Sequence, residues 1–371
     1  MIAPSDDPRR ERLRKAVALE TVDKVPVCLE GVAWSARVTG MTLKTFLSDP
    51  LLATQANIEA FELVGNADSV NNPTFDVSSL SFLWMTRVKR PGYGGLGDDE
   101  PWQVEESGLM TLEDYDAIIE GGWAPFQIAY LNERVAPGKF EDFIKFVQGT
   151  GAVVEKANAA SMPFLAVGVL TTPFEFLCGG RSFSQFVFDL YRTPDKVEAA
   201  MQAMMPGLSD AGLGLSAAVG APGIWIGGWR SASKMLAQPL WDRFVFPYMK
   251  EIIAQTVAAG ITPILHLDSD WTRDLPRLLE LPARTCILSL DSMTDIRKAK
   301  EIVGDHMCIM GDVPPALLSS GTPEQVYDYC SKLITDVGPT GLILQSGCDI
   351  PVDAPLANVK AMADAAEDAA S

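Results

Sequence analysis

Histidine is scarce in this chain: 371 residues hold only two, His266 and His306. Basic charge is also short, with 30 Lys and Arg against 48 Asp and Glu and a formal net charge of −18. That balance argues against nucleic acid, because binding phosphates needs a concentrated basic patch. The one basic cluster, PRRERLRK near the N-terminus, reads as the solvated face of a short helix. Uninterrupted apolar runs of about 18 residues are absent, so no membrane span is expected. The opening MIAPSDDPRRERLRKAV lacks the apolar stretch of a secretory signal, and a cytoplasmic protein is expected. Six cysteines, at 28, 178, 286, 308, 330 and 348, show no paired spacing and read as reduced thiols rather than a disulfide framework. A phosphate loop is missing too: GYGGLG at 92–97 is followed by neither a helical pattern nor the lysine such a loop requires.

What the chain does hold is apolar material, 47% hydrophobic residues against 21% charged, enough for a substantial core. Short apolar or β-branched runs recur at 25–31, 66–72, 163–172, 223–228, 262–268, 286–291, 307–312 and 341–349. Amphipathic stretches such as 194–218, 239–259 and 323–336 lie between them, the last with Thr322 as N-cap and Pro323 at the first helical position. Apolar strands alternating with helices imply a parallel sheet covered on both faces. Eight such units predict a closed (β/α)8 TIM barrel, with an open doubly wound sheet as the competing arrangement. The segment 84–110 interrupts the alternation and reads as a β-hairpin inserted near the barrel mouth. Neither a repeat nor a low-complexity linker divides residues 1–371, which predicts a single domain.

Reactive groups in such barrels collect at the C-terminal ends of the strands. Those ends carry Glu30, Asn71, Asn72, Thr171, Thr172, Trp229, Arg230, His266, Asp268, Asp291, Asp312, Cys348 and Asp349. In ILHLDSDW, residues 264–271, His266 and Asp268 are two apart, so both can face the interior. Together with Cys348 and Asp291 they form a set of nitrogen, sulfur and oxygen donors suited to a zinc-type ion. The H-x-D spacing alone also fits a hydrogen-bonded core histidine. Trp229 is a candidate for stacking on an aromatic ring, Arg230 for pairing with a carboxylate or phenolate, and Asn72 for orienting a polar group of the substrate. A packed Trp229 with Arg230 tied in a salt bridge is the competing reading. Glu30 is a candidate general acid, fourth metal ligand or arginine partner. His306, beside Asp305 in DHMCIMG, does not match the D-x-H-x-x-G signature of cobalamin carriers and reads as a flank of the seventh strand.

Three ordered segments carry a resemblance. ERLRKAVALETVDKVPV, MGDVPPALLSSGTPEQV and GLILQSGCDIPVDAPLANVKAM are similar to the uroporphyrinogen decarboxylase superfamily, particularly its zinc-dependent branch that works with corrinoid proteins. The branch that methylates coenzyme M binds zinc through an H-x-C pair on strand five and a cysteine after strand eight. Position by position, the resemblance implies His266 and Cys348 as ligands, with Asp268 in place of the middle cysteine. The similar barrel of cobalamin-independent methionine synthase adds an acidic ligand where Asp291 falls. Uroporphyrinogen decarboxylases themselves carry M-R-Q-A-G-R after strand one, where this chain has CLEGVAWSARV. That departure tells against porphyrinogen decarboxylation.

Exchanging a thiolate ligand for Asp268 makes the proposed site harder, better suited to polarising oxygen than to activating a thiol. The expected reaction is therefore demethylation of a small methyl ether, favoured as aromatic, with the methyl passing to the cobalamin of a separate corrinoid protein. Alternatives are methyl transfer from the corrinoid to a thiol or folate, a decarboxylase of the same fold, and a non-catalytic barrel whose metal residues have degenerated.

Overall fold

In a computed structural model describing residues 2–369, eight short strands run parallel around a ring. They are β1 (Cys28–Leu29), β2 (Ser69–Val70), β3 (Val169–Thr171), β4 (Gly223–Gly228), β5 (Thr262–Leu267), β6 (Ile287–Leu290), β7 (Cys308–Val313) and β8 (Leu342–Ser346). From β3 to β8 they form one continuous sheet in sequence order, and β1 pairs with β2. Single bridges close the ring, Val27 to Leu344 on one side and Val70 to Phe164 on the other. The third strand is shorter than its apolar run predicts, because Gly168 at φ +87° breaks the extended backbone after Phe164.

Side-chain alternation sets what each strand shows to the ring's interior. Cys28, Trp225, Ile264, Ile287, Cys308, Met310 and Ile343 form a buried inner cluster, while Ile224, Ile226, Leu265, Leu267, Leu288, Leu290 and Leu344 pack outward against the helices. Leu13, Ala16 and Val17 of the helix Pro8–Val17 join the inner cluster and close one end of it. One step of two residues beyond the inner cluster, the same register presents Glu30, Gly227, His266, Ser289 and Gln345, while Asp312 turns outward to accept from Tyr329 of the helix Pro323–Val337 at 2.8 Å. The polar layer is therefore a consequence of period-two alternation continued to the strand ends.

Arg12 departs from the expected solvated basic face. It is buried, bonded to Asp68 and paired with Asp23 at 2.6 Å, and Asp68 also accepts the Val27 amide at 2.8 Å. The ion pair ties the first helix to the entry of β1 and β2. In the interrupted region, Val88–Lys89 pairs antiparallel with Gln103–Val104. Helices Asp114–Gly121, Trp123–Tyr130 and Lys139–Ala159 follow, three elements without a counterpart in the sequence reading. The predicted helix at 194–218 is observed as Pro194–Ala218, that at 323–336 as Pro323–Val337 with a full Thr322–Gln325 capping box, and that at 239–259 as two helices meeting at Val245. Among the described residues all six cysteines are free, and no helix is long and apolar enough to cross a membrane.

Candidate metal centre

His266 ends the inner face of β5, 2% exposed, and two further contacts fix its ring. Its Nδ1 lies 3.0 Å from Ser289 Oγ, and its plane stacks on Trp225 at a centroid separation of 4.8 Å. With Nδ1 engaged by Ser289, Nε2 is the atom left to face the ring mouth. Asp268 Oδ1 stands 3.3 Å from that Nε2. The Asp268 backbone is held on both sides: its amide donates to Gly228 at 3.1 Å and its carbonyl accepts the Trp271 indole N–H at 2.7 Å.

Cys348 arrives from the turn after β8, where Ser346 Oγ donates to the Cys348 carbonyl at 2.5 Å. This turn can pass close to the end of β6 because residue 347 is glycine. A Cβ there would meet the Asp291 carbonyl oxygen at 2.8 Å. The result is a group of one nitrogen, one oxygen and one sulfur donor, from His266, Asp268 and Cys348, all within 4.8 Å of one another. Zinc bonds of about 2.0–2.1 Å to N and O, set at tetrahedral angles, put two such donors about 3.3 Å apart. The His266–Asp268 separation has that value, and the half-buried Cys348 adds a third candidate donor; a set of this type would suit zinc with a fourth position open.

Asp291, expected as a further ligand, is not brought into this group. Its two carboxylate oxygens accept backbone amides instead, Oδ2 from Ser269 at 2.5 Å and Oδ1 from Met293 at 2.8 Å. Its place is to fix the turn that follows β5.

Glu30 lies beside the three donors, buried, with Gln345 Nε2 donating to its Oε2 at 2.6 Å. Burial pushes its carboxyl upward, against the opposing pull of the His266 charge. His266 is affected in two directions: burial lowers its proton affinity, but Asp268, Cys348 and the charge of Glu30 outweigh that and carry it well above the ordinary value. The Cys348 thiol is raised by burial, with His266 pulling the other way. Asp349 is exposed as a residue, yet atoms packed around its carboxyl, and then the charge of Glu30, push it upward as well. It stands on the wall of the same cavity, a position that its place one residue after Cys348 made legible.

The cavity above these groups measures about 460 Å³. Glu30, Asn71, Asn72, Trp229, His266, Asp268 and Cys348 all line it. Much of the remaining wall is aromatic and comes from the excursion between β2 and β3, including Phe82, Trp84, Trp123, Phe140 and Phe143. Phe82 and Phe143 stack at 4.0 Å, and Trp229 sits between Trp84 and Trp225 at 5.2 and 5.5 Å.

Arg230 is placed differently from its neighbour Trp229. Its Nη2 pairs with Glu106 at 2.5 Å, its guanidinium lies 4.5 Å from the Trp84 ring centre, and it is not part of the cavity wall. The expected substrate contact from Arg230 is therefore replaced by a salt bridge at the rim. Glu175 was missed altogether. Buried on the helix Pro173–Arg181, it accepts the backbone amides of Trp229, Arg230 and Ser231 at 2.8–2.9 Å and so holds the loop that carries Trp229. His306 caps structure as expected, with Nε2 at 2.8 Å from the Leu281 carbonyl.

The uroporphyrinogen decarboxylase (URO-D) family model matches residues 135–369. Over 367 residues, the chain is 24% identical to a methylcobamide:CoM methyltransferase, MtbA, of Methanosarcina mazei, covering 96% of this chain and 97% of that protein. It is also 24% identical over 247 residues to a uroporphyrinogen decarboxylase of Chlorobium luteolum, covering 64% and 68% of the two. A solved methyltransferase from Methanosarcina mazei matches with a TM-score of 0.74 at 18% identity, over 97% of this chain and 98% of that one. The eight-stranded barrel is thus shared along the whole length.

Proposed function

The chain belongs to the uroporphyrinogen decarboxylase family, and on that premise we propose that it is a zinc-dependent methyltransferase. It moves the methyl group of an aromatic methyl ether to the cobalamin of a separate corrinoid protein. The observation that carries this reading is the convergence of His266, Asp268 and Cys348 donors at the end of an aromatic cavity. Zinc held by these residues supplies Lewis acidity toward the ether oxygen, which weakens its bond to the methyl carbon.

The chain's own groups supply the rest. Ser289 and Trp225 orient His266. Trp229 offers a face for the substrate ring. Glu30 is the candidate general acid: burial raises its carboxyl, and Gln345 fixes it through Oε2 beside the donors. When the methyl carbon passes to the acceptor, the bonding pair stays on oxygen, which takes the Glu30 proton and leaves as a phenol. The chain's two histidines are both engaged, His266 at the centre and His306 with Leu281. A histidine for the corrinoid has to come from the partner.

The decarboxylase reading fits less well, because a polycarboxylate needs cations and no lysine or arginine lines the cavity among the described residues. Zinc-loaded protein mixed with cob(I)alamin and a panel of aryl methyl ethers tests the proposal. Conversion of the cob(I)alamin spectrum to that of methylcobalamin, lost in His266→Ala, is the expected result. No conversion by zinc-replete protein across the panel would overturn it.

A further inference from the structure

The cavity combines three features that together restrict its ligand. Its wall carries the carboxyl groups of Glu30, Asp76, Asp268 and Asp349 and, among the described residues, no lysine or arginine. The cation of the Trp229 loop is withdrawn, since Arg230 is held by Glu106 and by the Trp84 ring and does not line the cavity. The polar groups other than acids are mostly neutral amides, Asn71 and Asn72 beside the donors and Gln127 further out. An anionic substituent on the ring would lose its hydration against this wall with no lysine or arginine to pair with, and the one cation proposed at the site, zinc, is offset by Asp268 and Cys348 and engaged by the ether oxygen. Aromatic faces add to the penalty, because the π cloud repels negative charge.

Resting on the proposed ether demethylation, we infer that the site selects an uncharged aryl methyl ether, a ring system bearing no ionised carboxylate or sulfonate. A cation fits the aromatic wall electrostatically but not the chemistry. A quaternary ammonium has no lone pair for the metal centre to engage and would be repelled by it. An uncharged oxygen-bearing ring satisfies both the wall and the centre. The cavity, about 460 Å³, lies in the range that encloses most of a drug-sized ligand, so a substituted or fused ring is accommodated. The amides of Asn71 and Asn72 then serve ring substituents such as hydroxyl or further methoxy groups.

Three matched probes test the inference on zinc-loaded protein by quenching of tryptophan fluorescence: 1,2-dimethoxybenzene, 3,4-dimethoxybenzoate and phenyltrimethylammonium. The neutral ether is expected to bind at least tenfold more tightly than either ion. Asn72→Lys, which adds a cation to the wall, is expected to narrow or reverse the gap for the benzoate. Equal or tighter binding of the benzoate or the ammonium by the wild type, or no binding of the neutral ether, would overturn the inference. Because binding is read without cobalamin, failure of methyl transfer with the neutral preference intact would sink the proposed reaction and leave the selectivity standing.

Discussion

Replacing Glu175 should release the Trp229 loop of the cavity wall without touching any donor. Its carboxylate is 3% exposed and accepts three successive amides, those of Trp229, Arg230 and Ser231. In Glu175→Ala all three N–H groups lose their acceptor inside the protein. Each buried unsatisfied amide costs about 1–3 kcal/mol, so the variant should lose roughly 3–6 kcal/mol once some water enters. Glu175→Gln keeps a carbonyl of the same shape but forfeits the charge, and should lose about 1–2 kcal/mol. Urea unfolding reads both, with the midpoint moving and the slope unchanged. Near-ultraviolet dichroism should change in parallel, since Trp229 packs, tilted, between Trp84 and Trp225. A loss below about 1 kcal/mol for the alanine variant, or equal losses for both, would refute the claim that this one carboxylate organises the loop.

Other consequences are as direct. Gly227→Ala puts a Cβ about 2.5 Å from the rings of both Trp225 and Trp229, and should cost about 1–3 kcal/mol by overpacking while weakening aryl-ether binding; unchanged stability and affinity would show that the two rings are free to move. In metal-free protein His266 is raised by Asp268, Cys348 and Glu30 over the opposing effect of burial. A raised group stabilises fully below its unfolded value, near ~6.5, and that contribution disappears as pH climbs through the folded value. The stability advantage of metal-free wild type over His266→Ala should therefore shrink as pH rises above ~6.5, read by thermal unfolding in chelator; an advantage that grows with pH would contradict it. Asp268→Cys should retain zinc and shift competition toward cadmium, the softer ion, and an unchanged preference would show that Asp268 is not a ligand.

The barrel was legible because five of its strands are buried runs of four to six residues, whose apolar pattern a sequence displays without help from context. The runs at 25–31 and 66–72 hold strands of only two residues, kept in place by pairing and single bridges that leave little local signal. Donors were legible for a related reason: alternation carries the inner face of Ile264 to His266 and then to Asp268. What the sequence could not reveal was competition for the same groups. Asp291 looks like a ligand until its oxygens are found on the amides of Ser269 and Met293. Arg230 looks like a substrate anchor until Glu106, 124 positions earlier, is found to pair with it. Glu175 sits in TTPFEFL, where a helical glutamate reads as surface, yet its partners lie on a loop more than 50 residues onward. The aromatic cap escaped for want of strand punctuation in 114–159, although Phe140, Phe143 and Phe146 recur at helical spacing.

Everything proposed depends on whether His266, Asp268 and Cys348 hold a metal. The most direct measurement is the metal content of purified, zinc-loaded wild type beside His266→Ala and Cys348→Ala, by plasma mass spectrometry, with circular dichroism to check the fold. The account predicts about one zinc per chain in the wild type and almost none in either folded variant. Stoichiometric zinc in both variants, or none in the wild type, would contradict it.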